Sequence, residues 1–119
     1  MKLNKAHEDS RRAVYIVDGL LPDNQEFSFI KLNKGKAIGA CSHTKEEYWV
    51  VIKGEVEVWT GNKKIIAKTG DSGIFPANTS HACVGIQESI FSEWGIVTAE
   101  KMVDAKDIEM KKELDKIND

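Results

Sequence analysis

Arginine, proline, cysteine and histidine are all scarce in this chain of 119 residues. Its two arginines, Arg11 and Arg12, sit side by side near the start. No basic patch with interleaved aromatics forms, which argues against nucleic acid as a partner. No apolar run approaches the length of a membrane span, so no membrane role is expected. Residues 1–12 hold no hydrophobic region and do not read as a secretory signal. Two cysteines, Cys41 and Cys83, show no disulfide framework. These absences together predict a cytoplasmic protein. Internal repeats and low-complexity linkers are missing as well. Hydrophobic residues make up 41% of the chain and the formal net charge is -2, which suits one domain, 1–119, with a core of its own.

What is present concentrates in residues 35–54, GKAIGACSHTKEEYWVVIKG. Cys41, His43 and Glu47 fall within seven residues and lead into the β-formers 48–52. On a strand, side chains two apart share a face, so Cys41 and His43 point the same way. Glu47 joins them if the turn at 44–46 folds back. A soft sulfur, an imidazole and a carboxylate from adjacent strands make a metal-ligand set. Residues 70–85, GDSGIFPANTSHACVG, add a second histidine, His81, just after a turn at Pro76 to Thr79.

The two stretches resemble the two motifs of the cupin superfamily. Gly35, His43, Glu47 and Gly54 fall on the first motif's spacing, with Cys41 in place of its first histidine. Gly70, Pro76 and His81 fall on the second. There Asn78 stands in for an inner glycine and Gly85 for the final asparagine. Asparagine tolerates the left-handed backbone better than most residues, so the Asn78 departure is mild. The resemblance implies an all-β fold, the cupin double-stranded β-helix or jelly-roll barrel. Its activities are diverse.

Taken in order, the chain reads as short strands divided by turn signals. Residues 1–10 are polar and expected to fray. Strands are expected at 12–17, 26–32, 48–52, 55–59, 63–68, 81–86 and 90–97. Residues 36–43 carry the first ligand candidates, and 70–73 read as loop. Positions 48–52 are apolar throughout, so both faces of that strand should be covered. One face meets the barrel interior, and the other needs a second sheet, a terminal segment or another subunit, the last of which makes a homodimer an expectation. Residues 104–118 form a C-terminal α-helix, capped by Asp104 or Asp107. Ile108, Leu114 and Ile117 give it a thin apolar stripe, which should lie on the barrel surface.

His43, Glu47 and His81 are the expected metal ligands, with Cys41 as a fourth. A histidine on each motif, in register with a carboxylate or sulfur partner, weighs against purely structural roles. Glu47 opens an apolar run, where a carboxylate is costly unless paired or metal-bound. Cys41 has two readings: a thiolate favouring a softer ion, or a small buried hydrophobe. Cys83 faces the same interior as His81. It is core packing or, alternatively, half of a redox pair with Cys41. Trp49 and Phe75 are expected, with Cys83, to wall the substrate pocket.

The resemblance implies a divalent metal ion, drawn from zinc, iron, manganese, nickel and copper. It would act on a small oxygenated metabolite in a dioxygenase, isomerase or lyase reaction. A second reading is a cupin that binds a sugar or sugar acid without turnover. A third is a metal-free sugar epimerase or isomerase with His43 or His81 as general base. The third lacks the arginine cluster that a diphosphate would need.

Overall fold

A computed structural model describes residues 2–96, 105–119 and the backbone of 101–102. Eleven strands and one helix are seen: β1 (Leu3–Glu8), β2 (Arg12–Val17), β3 (Phe27–Leu32), β4 (Ala37–His43), β5 (Glu47–Lys53), β6 (Glu55–Thr60), β7 (Lys63–Lys68), β8 (Ser72–Phe75), β9 (His81–Gly85), β10 (Ser89–Trp94), β11 (Lys101–Met102) and α1 (Ala105–Asn118). They make a six-stranded sheet, β1-β2-β3-β10-β5-β8, and a five-stranded sheet, β11-β4-β9-β6-β7. Every pairing is antiparallel. The sheets face each other in a jelly roll.

Alternation along the strands builds the core between the sheets. Ile30, Leu32, Trp49, Val51, Phe75 and Phe91 come from the six-stranded sheet. Ile38, Val56, Val58, Ala67 and Cys83 come from the other. A second cluster joins Ala37, Trp59 and Ala82, on the outer face of the five-stranded sheet, to Leu114 of the helix. The helix is thus docked outside the barrel, on β4 and β9. Asn118 pins its end: the side-chain amide donates to the Ala37 carbonyl at 2.8 Å and its Oδ1 accepts the Ala37 N–H at 2.7 Å.

Two turns explain motif residues. Gly54 sits at φ 102°, and a Cβ there would collide with the Ser89 hydroxyl. Asn78 takes φ 58°, the left-handed conformation expected of it, and its N–H bonds the His43 carbonyl at 2.7 Å.

Four expectations are corrected. Residues 3–8 do not fray but pair with β2 as an exposed edge strand. Backbone pairing can hold such a strand without burying a side chain. Residues 72–75 are a strand, not a loop, because they pair with the start of β5. The outer face of β5, expected to meet a second sheet, a terminal segment or another subunit, is not fully covered by the described residues of the chain itself: Tyr48 and Val50 are half-buried and Ile52 is 48% exposed. On the helix, Ile108 and Ile117 are exposed, and Leu114 packs beside Asp107 and Met110. Asp107 is a buried side chain rather than a cap. Asp104 lies outside the described residues, as do 97 of the expected last strand and 104 of the expected helix.

Candidate metal centre

Strands β4, β5 and β9 each bring a side chain to one end of the barrel interior. The phase of β4 is the critical feature. Ile38 faces the core, so strict alternation would send Ala40 and Ser42 inward after it. A bulge between Gly39 and Cys41 resets the phase. Cys41 and His43 then face inward, and Ser42 faces the helix. Gly39 is required there: φ is 115°, and an added Cβ would meet Ala82 Cβ at 2.8 Å and the His81 carbonyl at 2.9 Å.

The Cys41 sulfur lies 3.7 Å from His43 Nε2 and 3.6 Å from His81 Nε2. These three donor atoms all fall within 4.8 Å of one another. Glu47 Oε1 adjoins the imidazoles, 3.2 Å from His81 Nε2 and 3.7 Å from His43 Nε2. With zinc–sulfur and zinc–nitrogen bonds of usual length, tetrahedral geometry sets sulfur–nitrogen edges of about 3.6 Å. The two sulfur–nitrogen edges therefore fit a metal ion. Cys41 belongs to the compact group, and Glu47 flanks it on the imidazole side.

The supporting contacts orient the rings. His81 Nδ1 lies 3.3 Å from the Thr79 carbonyl. Donating its proton there leaves the Nε2 lone pair aimed at the cluster. Phe75 stacks on the His81 ring, 4.0 Å between centroids and 9° between planes. Burial works to lower the His81 pKa, but hydrogen bonding and charge from Cys41 outweigh it, and the net direction is up.

A cavity of about 300 Å³ opens onto this group. Arg12, Cys41, His43, Glu47, His81 and Glu93, together with His7, Glu26 and Ser28, supply its polar wall, and Val14, Ile30, Ile38 and Cys83 part of its apolar one. Trp49 is placed differently from the expectation. It packs in the core against Gly73, because β8 closes over that side of β5. Phe75 supports the His81 ring from behind instead of lining the cavity. Cys83 does line it, as a free thiol that burial pushes well above its ordinary pKa. Cys41 is a free thiol too, so the two cysteines are not joined.

Arg12 and Glu93 went unrecognised in the sequence, although alternation marks both. Arg12 is in phase with Val14 and Ile16, which face inward. Glu93 is in phase with Phe91, a core residue. Burial, the Glu47 charge and a hydrogen bond with Glu47 push the Glu93 pKa up to about 8. At neutral pH this carboxyl holds a proton.

A cupin-domain family model matches residues 28–89, more than half of the chain. The chain belongs to the cupin family. Solved cupin structures share its fold. An RmlC-like cupin from Shewanella frigidimarina NCIMB 400 superposes with a TM-score of 0.69 at 16% identity, over 78% of this chain and 82% of its own. KdgF from Halomonas sp. gives 0.65 at 20%, over 79% and 84%. The S161A mutant of Bacillus subtilis oxalate decarboxylase OxdC gives 0.64 at 17%, over 74% of this chain and 26% of its own. Likeness at such identities speaks for the fold alone. No protein of curated function matches the chain in sequence.

Proposed function

We propose that this cupin holds one divalent metal ion on Cys41, His43 and His81, with Glu47 beside the imidazoles, and presents it to a small oxygenated molecule in the cavity. The observation that carries this reading is the convergence of one thiol and two imidazoles, from two strands, at 3.6 and 3.7 Å. Sulfur with two imidazoles suits zinc, copper or iron better than magnesium or calcium. Manganese and nickel stay in the set, and the neighbour from Bacillus subtilis, oxalate decarboxylase, has Mn(II) centres.

A bound ion would supply Lewis-acid polarisation of a substrate oxygen, which suits a lyase, isomerase or dioxygenase. The chain's own residues do the rest. His43 and His81 hold their rings toward one point. Val14, Ile30 and Ile38 exclude water from the inner wall. Glu93 lines the cavity with the donor group, and burial and the Glu47 charge push its pKa up, so it favours holding a proton there. The free thiols support a reducing compartment such as the cytoplasm.

Elemental analysis of protein purified without chelators tests the metal. About one equivalent per chain is expected. A folded chain that holds none, and takes up none from zinc, manganese or iron(II) in solution, overturns the reading.

The homodimer belongs to the same proposal. On the outer face of the six-stranded sheet, Phe29, Phe27, Trp94 and Tyr48 form a row, with Phe27 on Trp94 at 5.8 Å and Trp94 on Tyr48 at 6.0 Å. Ile74, 48% exposed, pairs beside Tyr48 and extends the row. The row carries no charge, so a twofold contact with a second copy would bury none. Light scattering should give twice the 13.3 kDa of one chain. A mass of one chain at micromolar concentration removes this part.

A further inference from the structure

One cation on the cavity wall, Arg12, forms no ion pair within the described residues. Arg12 lines the same wall as the donor group and Glu93. Its Nε is buried and makes no hydrogen bond to any described residue. Its backbone N–H is bonded, to Asp9 Oδ1 at 3.2 Å, but that contact does nothing for the guanidinium. The nearby acid is already taken: Arg11 turns the other way and grips Asp9 at 2.8 Å, with His7 at 2.7 Å. Among the described residues no carboxylate comes within ion-pair distance of the Arg12 guanidinium. Burial and the adjacent Arg11 charge make its proton easier to lose, the direction expected of a cation short of partners. A half-buried guanidinium whose buried Nε has no partner is unfavourable in the free protein. A ligand anion would repay that cost.

We infer that Arg12 is the anion-binding end of the substrate site, and that the ligand is a small organic acid. Its carboxylate pairs with Arg12 while a second oxygen reaches the Cys41, His43 and His81 end of the cavity. This deepens the metal-site reading above and rests on it for the second contact.

The chemistry selects a carboxylate over a phosphate. One guanidinium offers a fork of two parallel N–H groups, which matches a single carboxylate. A phosphate dianion would meet Glu26 and Glu47 with no lysine on the cavity wall to balance it. The one helix described is packed on the outside of the other sheet, so no helix N-terminus faces the cavity. A volume of about 300 Å³ lies at the small end of ligand sites, which fits an acid of a few carbons.

The test titrates lactate, malate and 2-oxoglutarate into the full-length protein by calorimetry, after its metal content has been measured. Propane-1,2-diol and inorganic phosphate are the comparison ligands. At least one acid should bind, and both comparison ligands should bind it at least tenfold more weakly. Arg12→Gln should weaken the acid by about tenfold or more, the loss expected for a charge-assisted pair. Arg12→Lys should fall between, since it keeps charge and loses the fork. With no ligand present, Arg12→Gln should melt at the same temperature as the parent or up to about 5 °C higher. A merely structural arginine would instead lower it. Equal acid affinity in Arg12→Gln overturns the inference, as does phosphate binding best, or no acid binding at all. Absence of metal in the parent defeats the metal-site reading separately. The acid titrations of parent and Arg12→Gln then still decide the role of Arg12.

Discussion

His81→Ala should leave the purified chain with less than about a tenth of an equivalent of metal, against about one in the parent. The imidazole contributes one of three donors in the compact group and stands 3.2 Å from the Glu47 carboxylate. Its loss removes a ligand from that group. His43→Ala should behave alike. Glu47→Gln should cost less, because Glu47 flanks the group and the glutamine oxygen can still accept. Cys41→Ser separates the two roles of that residue. As a ligand, Cys41 sets the softness of the site, and its exchange for a hard oxygen should shift preference from zinc or copper toward manganese. As packing alone, its exchange would leave metal content and preference unchanged. Elemental analysis beside a far-ultraviolet dichroism spectrum reads both, and a folded His81→Ala protein with a full equivalent of metal would end the proposal.

The same strands show how much of this site can be read before any coordinates. Spacing alone aligns Cys41 with His43, and the two motifs bring His81 to them. Glu47 is legible because a carboxylate at the head of an apolar run needs a partner. Those inferences use short-range periodicity, which survives in sequence. The bulge at Gly39 does not, since it depends on how closely Ala82 approaches from the next strand. Trp49 was expected at the cavity wall because it is in phase with Glu47. The phase is right, but β8 covers that position, and strand order across a sheet is a long-range property. Residues 3–8 looked too polar to be ordered, yet an edge strand is held by backbone pairing, to which composition is nearly blind. Arg12 shows a different lapse. Its phase with Val14 and Ile16 was available, but the two arginines were weighed only for the diphosphate cluster they fail to make.

Asp107→Ala should lower the stability of the chain, and its effects should reach the metal. Asp107 projects from α1 into the wall of the barrel, where it is 1% exposed. The Ser42 hydroxyl donates to its Oδ2 at 2.9 Å and the Ser80 hydroxyl to its Oδ1 at 2.6 Å. Ser42 lies between Cys41 and His43, and Ser80 precedes His81. One carboxylate thus ties the two ligand-bearing strands from behind. Removing it strands two buried hydroxyls and should cost about 2–4 kcal/mol of stability, read as a melting temperature lower by about 10 °C. Asp107→Asn keeps an acceptor for one serine and an N–H for the other, so its loss should be under about 1.5 kcal/mol. Metal affinity should also weaken in Asp107→Ala, by about 10- to 100-fold, as for other outer partners of ligand residues. Helix docking alone does not predict that second effect. Leu114→Ala is the control: it opens the helix–sheet contact, at a cost of about 2–5 kcal/mol, but touches neither serine. Measured below both melting transitions, Leu114→Ala should bind metal like the parent. Equal weakening in the two variants would mean that the helix acts by general stability, and that the Asp107 carboxylate does not position the ligand strands.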